Sequence, residues 1–262
     1  MRLSSAFSCL ILTGLILGTN AQNEIARVKT STSDFDQRTE IERGPRGRSQ
    51  IALTFDAGAD ADCFADLITA LSNAGVKSTF FITGKWAQAN PECTQEITKQ
   101  GHEIGNHTWS HLDLTTQPDA VVRDEIKRAE IFLTELCGRN PRPLWRAPYG
   151  ARNNRVLGIA NSLGYKSIYW TIDSLDSVGE PKSVQFLYDR ITSRSPEQLD
   201  GAIILMHVGY RSTAEALPLL ISDLQRRGFQ LVPVSTLLPH SAPGRTSSAS
   251  GQNRQFFAES RH

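Results

Sequence analysis

Three aspartates follow the first strongly apolar run of the folded part of this chain. The run at 51–55 consists of strand-forming residues, and the acids come after it in a loop rich in glycine and alanine: Asp56, Asp60 and Asp62. An acid at the carboxyl end of a buried strand is poorly placed to be core and well placed to act in a site. Carboxylates crowded together repel one another unless a cation or a proton lies among them. The stretch therefore predicts a site that binds a cation or moves a proton.

Two histidines spaced four residues apart give a second chemical signal. His107 and His111 would lie on one face of a helix or tight turn, which is the usual arrangement for a pair of zinc ligands. The same spacing arises by chance, and capping or surface histidines are the alternative. With a carboxylate from a neighbouring strand end, two neutral imidazoles make a metal site that keeps positions open for water and substrate.

The elements that must position these residues alternate along the chain. Strands are predicted at 51–55, 78–83, 102–106, 143–146, 167–172, 202–207 and 230–234. Helices are predicted between them at 63–73, 91–100, 118–137, 153–163, 183–194 and 213–227. Strict alternation indicates a parallel sheet covered by helices, and seven strands in one domain suit a barrel or a doubly wound sheet.

Unusual polar clusters follow several of the predicted strands, at the end where parallel β/α folds carry their sites. These clusters are Asp56 and the stretches 105–111, 145–150, 173–176 and 205–207. Such repeated coincidence is far more informative than any one cluster. We therefore expect a single site at the carboxyl ends of the strands.

The clusters, taken in order, resemble the motifs of the polysaccharide deacetylase family, also called the NodB-homology domain or carbohydrate esterase family 4. They read T-F-D-A-G at 54–58, H-T-W-S-H at 107–111, R-A-P-Y at 146–149, D-S-L-D at 173–176 and L-M-H at 205–207. The resemblance covers about residues 48–238. It implies an α/β fold, a distorted (β/α)7 barrel in a single domain, and metal-dependent removal of acetyl groups from N-acetylated or O-acetylated sugars.

The resemblance also implies a role for each matching residue. Asp56 matches the general base that takes a proton from a metal-bound water, and Arg146 matches the residue that holds this base ionised and aimed. His107 and His111 match the metal ligands. The implied cofactor is a divalent metal, zinc in the first place, with cobalt or nickel as alternatives.

The remaining matches concern the bond that is cleaved. The backbone N–H of Tyr149 matches the oxyanion donor, which makes Tyr149 a substrate-binding residue as well as a catalytic one. His207 matches the general acid that protonates the leaving amine, and Asp173 matches the carboxylate partner that raises the pKa of His207. Leu205 matches an apolar wall of the acetyl pocket.

One departure from the family pattern concerns the metal. The family has a second acid, itself a metal ligand, where this chain has Ala57, and a methyl group cannot bind a cation. We expect Asp60, three residues further along a flexible loop, to supply the missing ligand. Asp62 or a water is the alternative ligand, and a remnant without metal is the remaining possibility.

A second departure concerns the acetyl pocket. The family has a tryptophan where this chain has Ser177, so the pocket must have a different wall. Trp170 and Trp109 are the candidate replacements, although either residue could instead be core or a surface on which a sugar stacks. The departure therefore affects substrate identity more than reaction type.

The ends of the chain and its charge bear on location and partners. Residues 1–21 read as a secretory signal peptide, which predicts a secreted or periplasmic protein with no stable membrane insertion after cleavage; an uncleaved anchor is the alternative. Residues 22–47 are predicted to be a linker, 48–238 the deacetylase domain, and 239–262 a disordered tail. The net charge of +1 gives no indication of a nucleic-acid partner, and the oligomeric state stays open.

The cysteines left after signal removal are odd in number. Cys63 and Cys93 each lie near the start of a helix that follows a strand, so both should lie at the same end of the fold. Export permits a disulfide, and this pair is the one we predict, with Cys137 free.

The resemblance, taken with these sequence features, implies a secreted, metal-dependent deacetylase that acts on an N-acetylated polysaccharide such as peptidoglycan or a chitin-like glycan. An acetyl-xylan-type esterase is the close alternative, because the same site can cleave an ester. A catalytically inactive glycan-binding module is the alternative from another class, because Ala57 removes a ligand. A cyclic-amide hydrolase on the same scaffold is a further one.

Overall fold

The computed structural model describes residues 40–238 as alternating strands and helices. The strands are β1 (Glu40–Ile41), β2 (Gln50–Ala57), β3 (Thr79–Ile82), β4 (Glu103–Asn106), β5 (Leu144–Trp145), β6 (Lys166–Ile168), β7 (Ile172–Asp173), β8 (Ile203–His207) and β9 (Gln230–Leu231). The helices are α1 (Phe64–Asn73), α2 (Gly84–Ala89), α3 (Pro91–Lys99), α4 (Asp119–Cys137), α5 (Asn154–Ser162), α6 (Val184–Thr192), α7 (Pro196–Leu199), α8 (Arg211–Arg226) and α9 (Val234–Leu237).

The strands form one curled sheet in which the paired strands run parallel. Their order is β1-β6-β5-β4-β3-β2-β8-β7, and β9 pairs with the start of β2. Parallel neighbours need long crossovers, and here helices supply them. The result is the distorted (β/α) barrel that the sequence predicts, with the carboxyl ends of the strands gathered at one rim.

The central strand β2 separates core from site by the alternation of its side chains. It lies between β3 and β8 and is buried from Ile51 to Ala57. Phe55 stacks on Phe80 of β3, with ring centroids 5.1 Å apart, in the apolar layer between the sheet and its helices. Because successive side chains point to opposite faces of a strand, Asp56 points away from that layer, into the barrel. Ala57 is part of the apolar layer.

The predicted strand at 167–172 is two strands in the structure. β6 pairs with β5, whereas β7 pairs with β8, and residues 169–171 connect them. The sequence runs on without a turn signal here, so the division could not be read from it. The division leaves an opening in the barrel wall between β6 and the β7–β8 pair.

Residues 40–44 fill this opening, and we call them the closing segment. β1 pairs with β6, the N–H of Tyr169 donates to the carbonyl of Ile41 at 2.8 Å, and the N–H of Gly44 donates to the carbonyl of Gly201 at 2.8 Å. The segment therefore touches both sides of the gap. The predicted linker at 22–47 is wrong for these residues, because they belong to the barrel.

The predicted disulfide is also wrong. Cys63, Cys93 and Cys137 are all free thiols. Helix α2, which the sequence did not reveal, lies between β3 and α3 and so moves Cys93 away from the strand end at which it was expected. Between residues 40 and 238, no helix has the length and apolar character needed to cross a membrane. The predicted signal peptide, most of the linker and the tail lie outside the described residues.

Candidate active site

A cavity of about 410 Å³ opens at the carboxyl ends of the strands. Register places Asp56 of β2 directly beside His207 of β8. Eight of the predicted site residues line the cavity: Asp56, His107, His111, Tyr149, Trp170, Asp173, Leu205 and His207. Arg146 lies buried behind Asp56, and Asp60 is not part of the lining. The five sequence motifs therefore meet at one place, as expected from their positions after the strands.

Arg146 is buried and held by four hydrogen bonds. Its Nη1 donates to Oδ1 of Asp56 at 2.7 Å and to the hydroxyl of Thr54 at 2.9 Å. Its Nε donates to the carbonyl of Ile168 at 3.0 Å, and its Nη2 to the carbonyl of Tyr169 at 3.3 Å. A guanidinium fixed on several sides cannot swing away, so the carboxylate of Asp56 keeps one orientation.

Burial and neighbouring charge set the protonation of Asp56. Burial alone would raise the pKa of this carboxyl, because a charge is costly away from water. The charge of Arg146, followed by His107 and His207, outweighs burial and holds the pKa of Asp56 below its ordinary value. Asp56 is therefore ionised at neutral pH. Its free oxygen, Oδ2, lies 3.4 Å from Nε2 of His107.

His107 turns one defined nitrogen toward Asp56. Its Nδ1 lies 2.9 Å from the carbonyl oxygen of Arg146. A carbonyl can only accept, so Nδ1 carries the hydrogen and Nε2 keeps its lone pair when the ring is neutral. Burial, working against the charge of Asp56, lowers the pKa of His107. A neutral ring whose other nitrogen donates to a carbonyl is the form in which histidine binds a metal.

His111 lies beside His107 on a loop rather than on a helix. The two ring centroids are 4.8 Å apart. Burial first, and the neighbouring His107 second, lower the pKa of His111 to about 4, so this ring is also neutral near pH 7. The backbone of His111 is left-handed, with φ of 62°. That conformation is strained for any residue with a side chain, and such strain is found at functional sites.

Glu125 of α4 holds the loop that carries both histidines. Its buried carboxylate accepts from the backbone N–H groups of Trp109 and Ser110, at 3.1 and 2.8 Å, and from the hydroxyl of Ser110 at 2.6 Å. Asn106 adds a bond at the start of the loop, where its Oδ1 accepts from the N–H of Thr108 at 2.8 Å. Hydrogen bonds from a helix thus give this loop the fixed geometry that a metal site needs.

His207 pairs with Asp176, so the predicted partner Asp173 is wrong. The Nδ1 of His207 lies 2.7 Å from Oδ1 of Asp176. The second oxygen of Asp176 accepts from the backbone N–H of His207 at 2.8 Å and from the hydroxyl of Thr213 at 2.7 Å. Burial would lower the pKa of His207, but the hydrogen bond and charge of Asp176 outweigh it and raise that pKa. The ring is therefore suited to donating a proton.

A tight turn after β7 explains why the partner is not Asp173. Oδ1 of Asp173 accepts from the N–H of Leu175 at 2.7 Å, and Leu175 adopts a left-handed φ of 61°. This turn brings Asp176 back beneath His207, while Asp173 stays at the cavity wall. The motif contains both acids, and only the direction of the turn distinguishes them. Thr213 belongs to no motif, and Thr54 stands in the first motif without a role that the sequence indicated.

The predicted third metal ligand, Asp60, is not placed with the histidines. Its carbonyl accepts from the indole N–H of Trp86 at 2.9 Å, and its carboxylate lies so close to Gly209 that a side chain at Gly209 would collide with it. These contacts direct the loop toward the segment after β8. Within residues 40–238, no three His, Cys, Asp or Glu side chains come together as a group that could hold a metal ion.

The donors present therefore fit a divalent metal through two histidines. His107 and His111 are neutral, adjacent and fixed, as metal ligands must be. The position of the family's third ligand is Ala57, which is fully buried in the apolar layer. Any further ligand would have to be Asp56, water or substrate.

The apolar wall of the cavity comes from strand β8, and the aromatic wall comes from the connection between β6 and β7. Leu205 of β8 and Trp170 line it, and Trp170 stacks on Tyr169 with ring centroids 3.8 Å apart. Trp109, the other candidate, is buried against Phe132 and is not part of the lining. Trp170 is therefore the tryptophan that a ligand in the cavity could touch.

Tyr149 forms part of the rim. Its side chain is 71% exposed, and its ring centroid lies 4.4 Å from that of His111. It adopts a left-handed φ of 57° in the short turn at 148–150. The turn therefore brings Tyr149 to the cavity beside His111.

Ser177 is a site residue whose contact the sequence did not indicate. Its hydroxyl oxygen lies 3.4 Å from Nε2 of His207, the ring nitrogen that does not face Asp176. The sequence marked this position only as a missing tryptophan. The structure shows that the smaller residue leaves the donating face of His207 open and places a hydroxyl beside it.

Comparison with known proteins agrees with this geometry. Residues 43–168 match the family described as Polysaccharide deacetylase. A chitooligosaccharide deacetylase of Bradyrhizobium sp. (strain ANU 289) is 33% identical over 206 residues, which cover 73% of this chain and 91% of that protein. The peptidoglycan-N-acetylmuramic acid deacetylase PdaA of Bacillus subtilis is 30% identical over 189 residues, which cover 72% of this chain and 71% of that protein.

Solved structures give the same result. That Bacillus subtilis protein, described as a family 4 carbohydrate esterase, superposes with a TM-score of 0.71 at 28% identity over 76% of this chain and 84% of its own. A protein described as a CE4 family pseudoenzyme from Bacillus anthracis superposes with a TM-score of 0.71 at 26% identity over 76% of this chain and 69% of its own. These likenesses confirm the predicted fold.

Proposed function

Because this chain belongs to the polysaccharide deacetylase family, we propose that it hydrolyses the acetamido groups of an N-acetylated glycan. The observation that carries the proposal is a pair of opposed proton-transfer groups on adjacent strands. Asp56 is an ionised carboxylate held by Arg146, and His207 is an imidazole whose pKa is raised by Asp176. Both line one cavity.

Asp56 acts as the general base in this proposal. Its free oxygen faces the cavity beside His107, and it would take a proton from the attacking water. Arg146 keeps the carboxylate ionised and correctly oriented for this step. His107 and His111 would hold a divalent metal, zinc first with cobalt or nickel as alternatives, which supplies Lewis-acid activation of the water and of the acetyl carbonyl.

His207 acts as the general acid on the other side of the cavity. Its Nε2 would donate a proton to the nitrogen that leaves the tetrahedral intermediate, because an amine leaves poorly unless it is protonated. The backbone N–H of Tyr149 would donate to the oxyanion, an interaction typically worth about 3 kcal/mol in the transition state. Leu205 and Trp170 would enclose the methyl group of the acetyl.

Peptidoglycan and chitin-like oligomers are the substrates that this proposal names. The relatives described above are named for muramic acid residues of peptidoglycan and for chitooligosaccharides. An acetyl ester of a sugar would fit the same groups, because an alcohol leaves with less help from His207. Residues 1–21 have the features of a signal peptide, so the proposed location is outside the cytoplasm, secreted or periplasmic.

A second candidate function is glycan binding without turnover. Ala57 stands where the family has a metal ligand, and one structural neighbour is described as a pseudoenzyme. In that case the cavity would still hold the sugar through its aromatic rim, while the site would release no acetate.

One experiment separates these candidates. The purified protein, with and without added zinc, is incubated with chitin oligomers and with peptidoglycan fragments, and acetate release and glycan mass are followed. Acetate release that is abolished by His207→Ala and kept by the exposed control Asp66→Asn supports the deacetylase. Binding to glycan with no acetate under any metal condition contradicts it and supports the second candidate.

A further inference from the structure

An ion pair joins the closing segment to the rim of the candidate active site. Arg152 donates through Nε to Oε1 of Glu40 at 2.6 Å and through Nη2 to Oε2 at 2.8 Å. Both side chains are largely buried, at 24% and 18% exposure for Arg152 and Glu40. A two-pronged pair of this kind fixes the orientation of both partners, because the planar guanidinium matches the planar carboxylate.

The same guanidinium touches Gly150 in the cavity wall and Tyr169, which packs against the wall residue Trp170. Its third nitrogen, Nη1, donates to the carbonyl of Gly150 at 3.1 Å. Its Cζ lies 3.5 Å from the ring centroid of Tyr169. Gly150 follows Tyr149 in the rim turn, and Tyr169 stacks on Trp170, so Arg152 contacts the supports of both a proposed oxyanion donor and a proposed pocket wall.

These two supports are packed against each other without spare room. A Cβ at Gly150 would lie 2.6 Å from the ring of Trp170 and 2.8 Å from the ring of Tyr169. Close-packed groups cannot shift independently. A displacement of Tyr169 and Trp170 would therefore move the turn at 148–150, and a displacement of the turn would move these two rings.

Glu40 has further contacts that fix its position. The hydroxyl of Ser167 in β6 donates to Oε1 of Glu40 at 3.2 Å. The next residue, Ile41, accepts the N–H of Tyr169 at 2.8 Å, and the carbonyl of Tyr169 in turn accepts from Arg146 at 3.3 Å. The closing segment thus holds Tyr169 in place. Arg146, which orients Asp56, donates to the carbonyl of this same residue.

We propose that Glu40 is a positioning residue for the active site, acting through Arg152 on the Tyr149–Gly150 turn and on Trp170. The proposal rests on the deacetylase function proposed above and adds a residue that lies outside every sequence motif. Loss of the Glu40 carboxylate leaves Arg152 free to turn away from Gly150 and Tyr169. The oxyanion donor and the pocket wall then lose their alignment.

A double-mutant cycle tests this coupling. Glu40→Gln and Arg152→Gln should each lower kcat/KM for acetate release by roughly tenfold or more, because small misplacements of catalytic groups are costly. The double variant should be no worse than Arg152→Gln alone, because the effect of Glu40 passes through Arg152. Losses that multiply in the double variant would overturn the proposal. Arg152→Lys keeps the positive charge but cannot make the two parallel hydrogen bonds to Glu40. This variant is used instead if Arg152→Gln does not fold.

Glu42→Gln is the matched control. Glu42 lies in the same segment, and its carboxylate is 3.6 Å from the same guanidinium, but its side chain is 61% exposed. Exposed pairs contribute little, so this variant should keep kcat/KM within about twofold of the wild type. Equal losses for Glu40→Gln and Glu42→Gln would indicate a general effect of charge and contradict a positioning role for Glu40.

A measurement without substrate keeps the two proposals separate. Trp170 is partly exposed, whereas Trp86, Trp109 and Trp145 are at most 5% exposed, so iodide quenching of fluorescence reports on Trp170, with Trp170→Phe as the reference. Glu40→Gln should change the quenched fraction, and Glu42→Gln should not. If the wild type released no acetate, the deacetylase proposal would fail, and quenching would still decide the positioning role. Unchanged quenching in Glu40→Gln would overturn that role.

Discussion

The imidazole of His207 and the carboxylate of Asp176 form a direct ion pair, with Nδ1 and Oδ1 2.7 Å apart. Asp173, which ends the strand beside β8, instead accepts from the backbone of Leu175. The acid that ends the neighbouring strand β7 is therefore not the acid that pairs with His207. This distinction determines how the pH dependence of the enzyme should respond to mutation.

Asp176→Asn should move the alkaline limb of the pH–rate profile to lower pH. The pKa of His207 is raised by Asp176, so without this carboxylate the ring loses its proton earlier as the pH rises. Turnover at neutral pH should fall by about 10²-fold, since general acid catalysis contributes at least that much. The profile is measured by acetate release. Asp173→Asn is the matched control and should shift the limb less; an equal or larger shift would contradict the pairing.

Arg146→Met should destabilise the protein more at neutral than at acidic pH. The pKa of Asp56 is lower in the folded protein than in the unfolded chain. Between these two pKa values the folded protein binds fewer protons than the unfolded chain. The ionised carboxylate therefore stabilises the fold fully at pH values above the unfolded pKa. This stabilisation is lost as the pH falls through the pKa that Asp56 has in the folded protein. Removing Arg146 leaves a buried unpaired carboxylate, at a cost of about 3–5 kcal/mol near pH 7.

Urea unfolding at neutral and acidic pH measures this effect. Arg155→Met is the control, because Arg155 pairs with Asp119 at 2.7 Å on the exposed surface. Such a pair is worth at most about 1 kcal/mol. A loss for Arg146→Met that does not shrink on acidification would show that the electrostatic account is wrong.

His111→Ala should lose bound metal, whereas Asp60→Ala should keep it. The imidazole of His111 lies beside that of His107, while the carboxylate of Asp60 lies against Gly209. Elemental analysis after reconstitution with zinc measures metal per chain. Asp66→Ala, which removes an exposed acid from helix α1 just after the loop, is the matched control. Loss of metal in Asp60→Ala alone would restore Asp60 as a ligand and contradict the loop geometry.

Glu125→Ala should loosen the histidine loop without touching the cavity. The carboxylate accepts from two backbone N–H groups and one hydroxyl of the loop, and stranding such buried donors costs about 1–3 kcal/mol. We expect a lower unfolding temperature and weaker zinc binding by titration. Glu135→Ala removes an exposed acid from the same helix and should change neither. Unaltered zinc affinity in Glu125→Ala would show that the loop keeps its shape without this carboxylate.

Local patterns in the sequence predicted most of the fold. The helix expected at 118–137 is Asp119–Cys137, and the strand expected at 51–55 is the inner part of Gln50–Ala57, because hydrophobic periodicity and turn residues decide such elements. The break between β6 and β7 was missed. It depends on the closing segment, which is more than a hundred residues away in sequence and therefore invisible to a local pattern.

Most residues of the cavity lining could be predicted from their motifs, whereas contacts that depend on the path of a loop could not. Two of the predicted residues, Asp56 and His207, lie at the carboxyl ends of their strands. Two others, His107 and Arg146, come directly after theirs. At the level of the family, the prediction of a hydrolase acting on carbon–nitrogen bonds outside peptides is confirmed. Asp173 was assigned the wrong partner because its contact with Leu175 sets the direction of the loop. No residue pattern encodes such a direction. The assignment of Asp60 as a metal ligand stays a prediction, and the structure places its carbonyl against Trp86.

The closing segment also has a consequence for the order in which the molecule folds. Glu40 bonds to Ser167, which lies 127 residues later in the chain. Contacts between such distant residues form late, because the chain between them must be ordered first. β1 therefore cannot dock until β6 has been made, and β2 must wait longer still for β8 and β9. A nascent chain can contain most of the family motifs and still lack a finished site until these distant strands have paired.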